Sequence, residues 1–294
     1  MLDYFVIISS KKQEIISEVK DLFASSDIRD LGSEWTEVSG KLKGTFDDAK
    51  EACFQISQNR KCDCNCIDGE VYEAEKKLVV FDMDSTLIQQ ECIDELAAEA
   101  GVAEEIKKIT ALAMQGEIDF SESLRRRVGL LKGLSSNIID KVIAKITFTP
   151  GAKELCQSLR ALGATTVVAS GGFIPMAKYV QKELGIDYAF ANELEIEDGI
   201  LTGKVKGKIL DGKRKAQILC EKVVELQVPE INTVAIGDGA NDLIMMEEAG
   251  LGIAFNAKPK VQQKADSRIN QPSLLNVMYL FGFDTHRQHK LLSE

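Results

Sequence analysis

Three short apolar runs with no polar alternation stand in the middle of the chain: KKLVVF at 76–81, ATTVVA at 164–169 and NTVAI at 232–236. Runs of this length suit strands of a parallel sheet that is covered on both faces. Each ends in a small or polar turn: Asp82-Met83-Asp84-Ser85-Thr86, Ser170-Gly171-Gly172 and Gly237-Asp238-Gly239-Ala240-Asn241-Asp242. Helical periodicity lies between them, over 151–162 with Pro150 near its start and Gly163 as a stop, over 173–184 stopped by Gly185, over 213–226, and over 241–249 stopped by Gly250. Strand, polar turn and helix, repeated, predict a doubly wound, Rossmann-like α/β core with a parallel sheet. Ligands of such sheets bind beyond the carboxyl ends of the strands, where all three turns fall.

Two stretches break this rhythm. Residues 89–149 hold no apolar strand run and read as helices, including 92–100, 102–115 and 121–132, which predicts a helical cap inserted after the first core strand. Residues 190–206 alternate around Asp198-Gly199, a β-hairpin signal. Ahead of the core, residues 1–75 read as strand 4–9, helix 12–23, strands 28–36 and 38–46, helix 47–59 and strand 62–68. That βαββαβ order is ferredoxin-like and defines a separate N-terminal α+β domain, with 76–294 as the second. It resembles the amino-acid-binding regulatory domains attached to biosynthetic enzymes, but the turn Ser9-Ser10-Lys11-Lys12 lacks a glycine-rich loop, so structural and ligand-sensing roles both stand. Near the end, LLNVMYLF at 274–281 is apolar enough to pack on the core or against a second copy in a homodimer.

Composition narrows the function classes. The 294 residues are 45% hydrophobic and 28% charged, the balance of a globular protein, and the net charge of −10 argues against broad nucleic-acid binding. No apolar run reaches the roughly 18 residues of a membrane span, and MLDYFVIISS is acidic where a signal peptide is basic, so a cytoplasmic protein is expected. Seven cysteines are too few and too odd in number for a disulfide framework. Cys62, Cys64 and Cys66 share one strand face with no histidine near, which favours free packed thiols over a zinc site.

The candidate chemistry begins at Asp82 and Asp84. Two carboxylates spaced by two project the same way where an apolar strand ends. One can attack a phosphoester as a nucleophile, splitting hydrolysis into phosphoryl transfer and release. The other, its pKa raised by its anionic neighbour, can protonate the leaving alkoxide and then deprotonate water.

FDMDSTL at 81–87 resembles the first motif of the haloacid dehalogenase superfamily. Val-Ala-Ser170-Gly171-Gly172 resembles the second, Lys215 in Gly-Lys-Arg-Lys-Ala the third, and Gly237-Asp238-Gly239-Ala-Asn241-Asp242 the fourth, over about residues 76–270. The resemblance implies an Asp82 nucleophile, Asp84 as acid and base, and phosphate contacts from Ser170, the Gly171 amide and Asn241. It favours Lys215 over Lys208 and Lys213 as the cation that offsets charge on phosphorus. It implies a Mg2+ ion held by Asp82, the Asp84 backbone carbonyl and Asp238, an oxygen donor set suited to that ion. Asp242 would orient Lys215 or a metal-bound water.

The cap adds two charges. In SESLRRRVGLLK at 121–132, Leu124, Val128 and Leu131 form the apolar stripe; Arg125 and Arg126 point away from it and Arg127 lies beside it. Arg127 has two readings, a snorkelling side chain or a planar fork for a substrate carboxylate. Glu91, opening the first cap helix, is either a helix-start carboxylate or a partner for an ammonium group. The segments QQECIDELA, KKITALAMQGEIDFSESLRRRV and SGGFIPMAKYVQKELGIDYAFANELEIEDGILTG resemble the phosphoserine phosphatase family. That resemblance assigns Glu91 and Arg127 to the substrate, with Met114 and Phe120 as apolar cap contacts, and implies O-phospho-L-serine as the small-molecule substrate. Phosphotransfer to a related alcohol, or a regulatory protein on a vestigial catalytic fold, are the alternatives.

Overall fold

The computed structural model describes residues 3–293. In the N-terminal part, β1 (Tyr4–Ile8), α1 (Gln13–Lys20), β2 (Phe23–Gly32), β3 (Trp35–Leu42), α2 (Phe46–Arg60) and β4 (Cys64–Asp68) form an antiparallel sheet of order β2-β3-β1-β4 with both helices on one face. Alternation sorts the side chains. Val6, Ile8, Val38, Cys64 and Cys66 pack on Ile15, Val19 and Cys53 of the helices, while Ile7, Leu31, Trp35 and Ile67 face the rest of the molecule. The cysteines are free thiols, buried in that core.

The hairpin differs from the sequence expectation of strands at 28–36 and 38–46. The strands are Phe23–Gly32 and Trp35–Leu42, and the turn falls at Ser33-Glu34, entered with φ of 87° at Gly32 and 48° at Ser33. β2 is an edge strand, mostly exposed along its middle, so it carries no apolar alternation for a sequence pattern to register.

The short helix α3 (Gly69–Glu73) leads to β5 (Leu78–Phe81). Then come four cap helices, α4 (Cys92–Ala100), α5 (Ala103–Met114), α6 (Phe120–Gly129) and α7 (Asn137–Ile143). The core resumes with α8 (Ala152–Ala161), β6 (Thr165–Phe173), α9 (Ile174–Leu184), β7 (Tyr188–Glu197), β8 (Ile200–Lys206), α10 (Gly212–Leu226), β9 (Thr233–Gly237) and α11 (Leu243–Glu247). β10 (Leu251–Phe255), α12 (Pro259–Lys264), β11 (Ser267–Ile269), α13 (Val277–Leu280) and α14 (Thr285–Ser293) complete it.

The second sheet has the order β11-β10-β9-β5-β6-β7-β8, parallel except for β8. β5 is central and wholly apolar because both of its faces are covered: Leu78 and Val80 meet one layer of helices, Val79 and Phe81 the other. In register, Phe81 stands beside both Val168 of β6 and Ile236 of β9. One residue further on, Asp82, Ala169 and Gly237 reach the same level, which is why turns far apart in sequence share one pocket. Strand β6 runs on through Ser170-Gly171-Gly172 to Phe173, so this motif is the end of the strand itself and not the turn after it that the sequence predicts.

The two parts are joined along one seam. Where the cysteines of β4 point to the helices, the residues between them point the other way. Asn65 exchanges two hydrogen bonds with the Arg268 backbone of β11, at 2.9 and 2.7 Å, and Asp63 accepts from the Asn270 amide at 2.9 Å. An asparagine side chain thereby substitutes for a neighbouring strand at a sheet edge. The 274–281 segment packs within the chain, with Tyr279 stacked on Trp35 at 4.9 Å between ring centroids.

The cap leaves and rejoins the core through paired segments, with an Ile88–Phe148 bridge and hydrogen bonds from Gln89 N to Thr147 O and from Thr149 N to Leu87 O.

Candidate active site

The sheet brings Asp82, Lys215, Asp238 and Asp242 together. Asp82 directly follows β5 and is 4% exposed; its Oδ1 accepts from the Met83 amide at 2.7 Å. Lys215, near the start of α10, is fully buried, and its Nζ reaches Asp82 Oδ1 at 2.8 Å and Asp242 Oδ1 at 2.6 Å. Burial works against its charge, but Asp242 and Asp82 outweigh burial and its pKa is raised. Lys208 and Lys213 are exposed, so burial separates the three lysines that the sequence left in competition. Asp242 is fixed in turn by the Gly239 amide at 3.0 Å, and Asn241 leans on it at 3.4 Å.

Carboxylate oxygens of Asp82, Asp238 and Asp242 all lie within 4.8 Å of one another. Burial first, and then repulsion from Asp82 and Asp242, pushes Asp238 up to about 8. One ammonium does not offset this much negative charge. The set of hard oxygen donors, crowded and under-compensated, therefore fits a divalent cation.

Asp84 follows in a wide turn, Met83–Leu87, and its Oδ1 has no hydrogen-bond partner among the described residues. Burial, then Glu91 and Asp82, raise its pKa, while Cys92 pulls it back. A carboxyl group that favours its proton beside an ionised carboxylate can act as an acid. Ser85 in the same turn holds the left-handed φ of 55°, which aims its hydroxyl at Glu91 Oε1, 2.7 Å away. No pattern in the sequence signals that contact.

Ser170 is fully buried, and its Oγ accepts from the Gly172 amide at 2.8 Å. Gly171 is covered by the cap, where a Cβ would come within 2.8 Å of the Phe120 ring. Arg127 on α6 is largely withdrawn from solvent, whereas Arg126 pairs with Glu122 at the surface and Arg125 is exposed. Arg127 Nε donates to the Ser123 carbonyl at 3.3 Å, and its other nitrogens have no hydrogen bond or ion pair among the described residues. Burial lowers its pKa against the pull of Asp94, Glu91 and Asp84. Glu91 is raised by burial and by Asp82 and Asp94, and drawn down by Ser85 and Arg127. An acidic group and a basic group thus stand within electrostatic reach of each other and of the Asp82 turn. Met114, expected as a cap contact, is 67% exposed at the end of α5.

Known proteins similar to this chain give its family. The model of the haloacid dehalogenase-like hydrolase family matches residues 79–247. A probable phosphoserine phosphatase of Schizosaccharomyces pombe is 60% identical over 294 residues, 99% of each chain. Among solved structures, a HAD family hydrolase of Salmonella enterica serovar Typhi is 28% identical with a TM-score of 0.86, covering 95% of this chain and 98% of that one. A substrate-bound phosphoserine phosphatase is 46% identical with a TM-score of 0.66, over 70% of this chain and 99% of its own. The chain belongs to the haloacid dehalogenase-like hydrolases and, within them, to the phosphoserine phosphatase family.

Proposed function

We propose that the chain hydrolyses O-phospho-L-serine to L-serine and phosphate through an aspartyl-phosphate on Asp82, with Mg2+ as cofactor. The observation that carries the substrate is Arg127: a cap guanidinium with no carboxylate at hydrogen-bonding distance among the described residues, within electrostatic reach of Glu91 and of Asp84 in the catalytic turn. A planar fork matches a carboxylate, and Glu91 matches an ammonium. With a phosphate seated below, the three together describe a phosphorylated amino acid. The full-length likeness to a probable phosphoserine phosphatase supports the same reading.

In the first step an Asp82 oxygen attacks phosphorus, the bond to the serine oxygen breaks, and Asp84 gives that oxygen its proton. Ser170, the Gly171 amide and Asn241 bind the phosphoryl oxygens, and Lys215 offsets the charge that builds on them. In the second step Asp84, now ionised, takes a proton from water as the water attacks phosphorus, and Asp82 leaves as a carboxylate. The cation, held by Asp82, the Asp84 carbonyl and Asp238, would supply positive charge at the phosphoryl group. Asp242 keeps Lys215 in place. Glu91 and Arg127 orient the amino acid and, with the cap above, exclude bulk water.

Kinetics with O-phospho-L-serine and with a simple aryl phosphate test this reading. Arg127→Ala is expected to raise KM for the amino-acid ester by about tenfold or more and to leave the aryl ester much less affected. Equal effects on both substrates would remove Arg127 from carboxylate recognition.

A further inference from the structure

Helix α6, which carries Arg127, touches the core at both of its ends, and both contacts are made to glycines of the core sheet. At its start, Phe120 lies against Gly171 of β6, so closely that a Cβ there would stand 2.8 Å from the ring. At its end, Gly203 of β8 holds a φ of +81° and faces the last turn of the helix. A methyl group at Gly203 would come within 2.9 Å of Lys132 Cβ, 3.3 Å of the Gly129 carbonyl oxygen and 3.4 Å of Gly129 Cα. The nearest of these, Lys132, lies three residues past the end of α6 and the other two belong to its last residue, so the last turn of the helix and the segment after it would have to give way by a few tenths of an ångström. The helix is ten residues long, about 15 Å, and Arg127 sits two residues before Gly129.

The segment after α6 is tied to the same hairpin by backbone hydrogen bonds. Gly133 N donates to Leu201 O at 2.9 Å, Leu201 N to Leu134 O at 2.9 Å, and Ser136 N to Gly199 O at 2.8 Å. Around the Ser135–Ile200 bridge this is a short antiparallel ladder that closes the free edge of β8. The cap is therefore held to the core by its hinge at Ile88 and Phe148 and, separately, by this clasp.

We infer that Gly203 is a positioning residue for Arg127: the β7–β8 hairpin seats α6 on the core sheet and fixes the guanidinium relative to the Asp82 turn, and the clasp stays closed through turnover. Motion that admits substrate is then confined to the α4–α5 side of the cap. This rests on the assignment of Arg127 to the substrate carboxylate, and the test separates the two.

The test compares O-phospho-L-serine with phosphoethanolamine, which keeps the ammonium and phosphate but lacks the carboxylate, in Arg127→Ala and Gly203→Ala variants of the full chain. Gly203→Ala is expected to raise KM for phosphoserine by about tenfold, with kcat and the phosphoethanolamine KM little changed. A general loss of fold would lower kcat for both esters and would not split them. If Arg127→Ala separates the two substrates and Gly203→Ala does not, the positioning role fails; if Arg127→Ala itself does not separate them, the carboxylate assignment fails.

A second variant needs no strained backbone. Ser135 and Ile200 form the wide, non-hydrogen-bonded type of antiparallel pair, whose Cα atoms lie about 4.5 Å apart and suit a disulfide. Ser135→Cys with Ile200→Cys, in a Cys220→Ser background to remove the exposed thiol, locks the clasp on oxidation. Unchanged kcat and KM in the oxidised form are expected. Activity that is lost on oxidation and returns on reduction would show that the clasp opens, and would overturn the inference.

Discussion

The Lys215 ammonium stands 2.8 Å from the Asp82 carboxylate, where the two side chains are only 0% and 6% exposed. A buried ion pair of this kind is costly to break from one side, because the partner is left charged and unsolvated. Here the partner side holds several carboxylates, so the lysine carries both the ground-state balance of the pocket and the charge offset at phosphorus.

Lys215→Ala is accordingly expected to lower kcat by about 100-fold or more and to destabilise the metal-free chain by roughly 3 kcal/mol. Mg2+ should raise the melting temperature of this variant by more than it raises that of the unaltered chain. Thermal melts in EDTA and in Mg2+, beside initial rates, check both statements.

Asp238→Asn should act in the opposite sense on stability. The folded pKa of Asp238, about 8, lies above its ordinary value of 3.8, so its stabilising contribution is present at low pH and is lost as pH rises through about 8. In EDTA, the unaltered chain should lose stability across that window and the Asn variant should lose less. In Mg2+ the order reverses, since the variant lacks a cation ligand. Melting temperatures measured across pH with and without the ion distinguish these cases; an Asn variant with an undiminished Mg2+ response would exclude Asp238 from the cation site.

The seam between the two sheets has its own titration. Burial raises Asp63 to about 6, against the hydrogen bonds it accepts from Asn270. The protonated carboxyl is favoured in the folded chain, so Asp63 adds stability below about pH 4 that is lost as pH climbs through about 6, on the order of 2–3 kcal/mol. Asp63→Asn keeps the acceptor for the Asn270 amide and removes the titration. Denaturant unfolding at several pH values should show the unaltered chain losing ground to the variant across this window; parallel pH profiles would contradict the assignment.

The sequence exposed the catalytic layer because the physics there is local. A central strand buried on both faces must be continuously apolar, as LVVF at 78–81 is, and polar residues directly after it have few uses besides a site. The inward turn of Arg127 followed from helical periodicity alone. What stayed hidden depended on contacts distant in sequence. The edge strand β2 shows no alternation because little of it is covered, and β11 is three residues long. The cysteines of β4 drew attention as possible ligands, while Asp63 and Asn65 between them make the seam, with partners about 200 residues away. Ser85 reaches Glu91 only through a positive φ that its residue type does not announce.

Between the two steps of hydrolysis the phosphoryl group rests covalently on Asp82. Rapid acid quench of the chain with O-phospho-L-serine and Mg2+, followed by proteolysis and mass spectrometry, measures it directly. One added phosphoryl group is expected on the peptide that contains Asp82, absent without Mg2+ and absent in Asp82→Asn together with turnover. Steady turnover in Asp82→Asn, or a phosphoryl group found on a different residue, would contradict it.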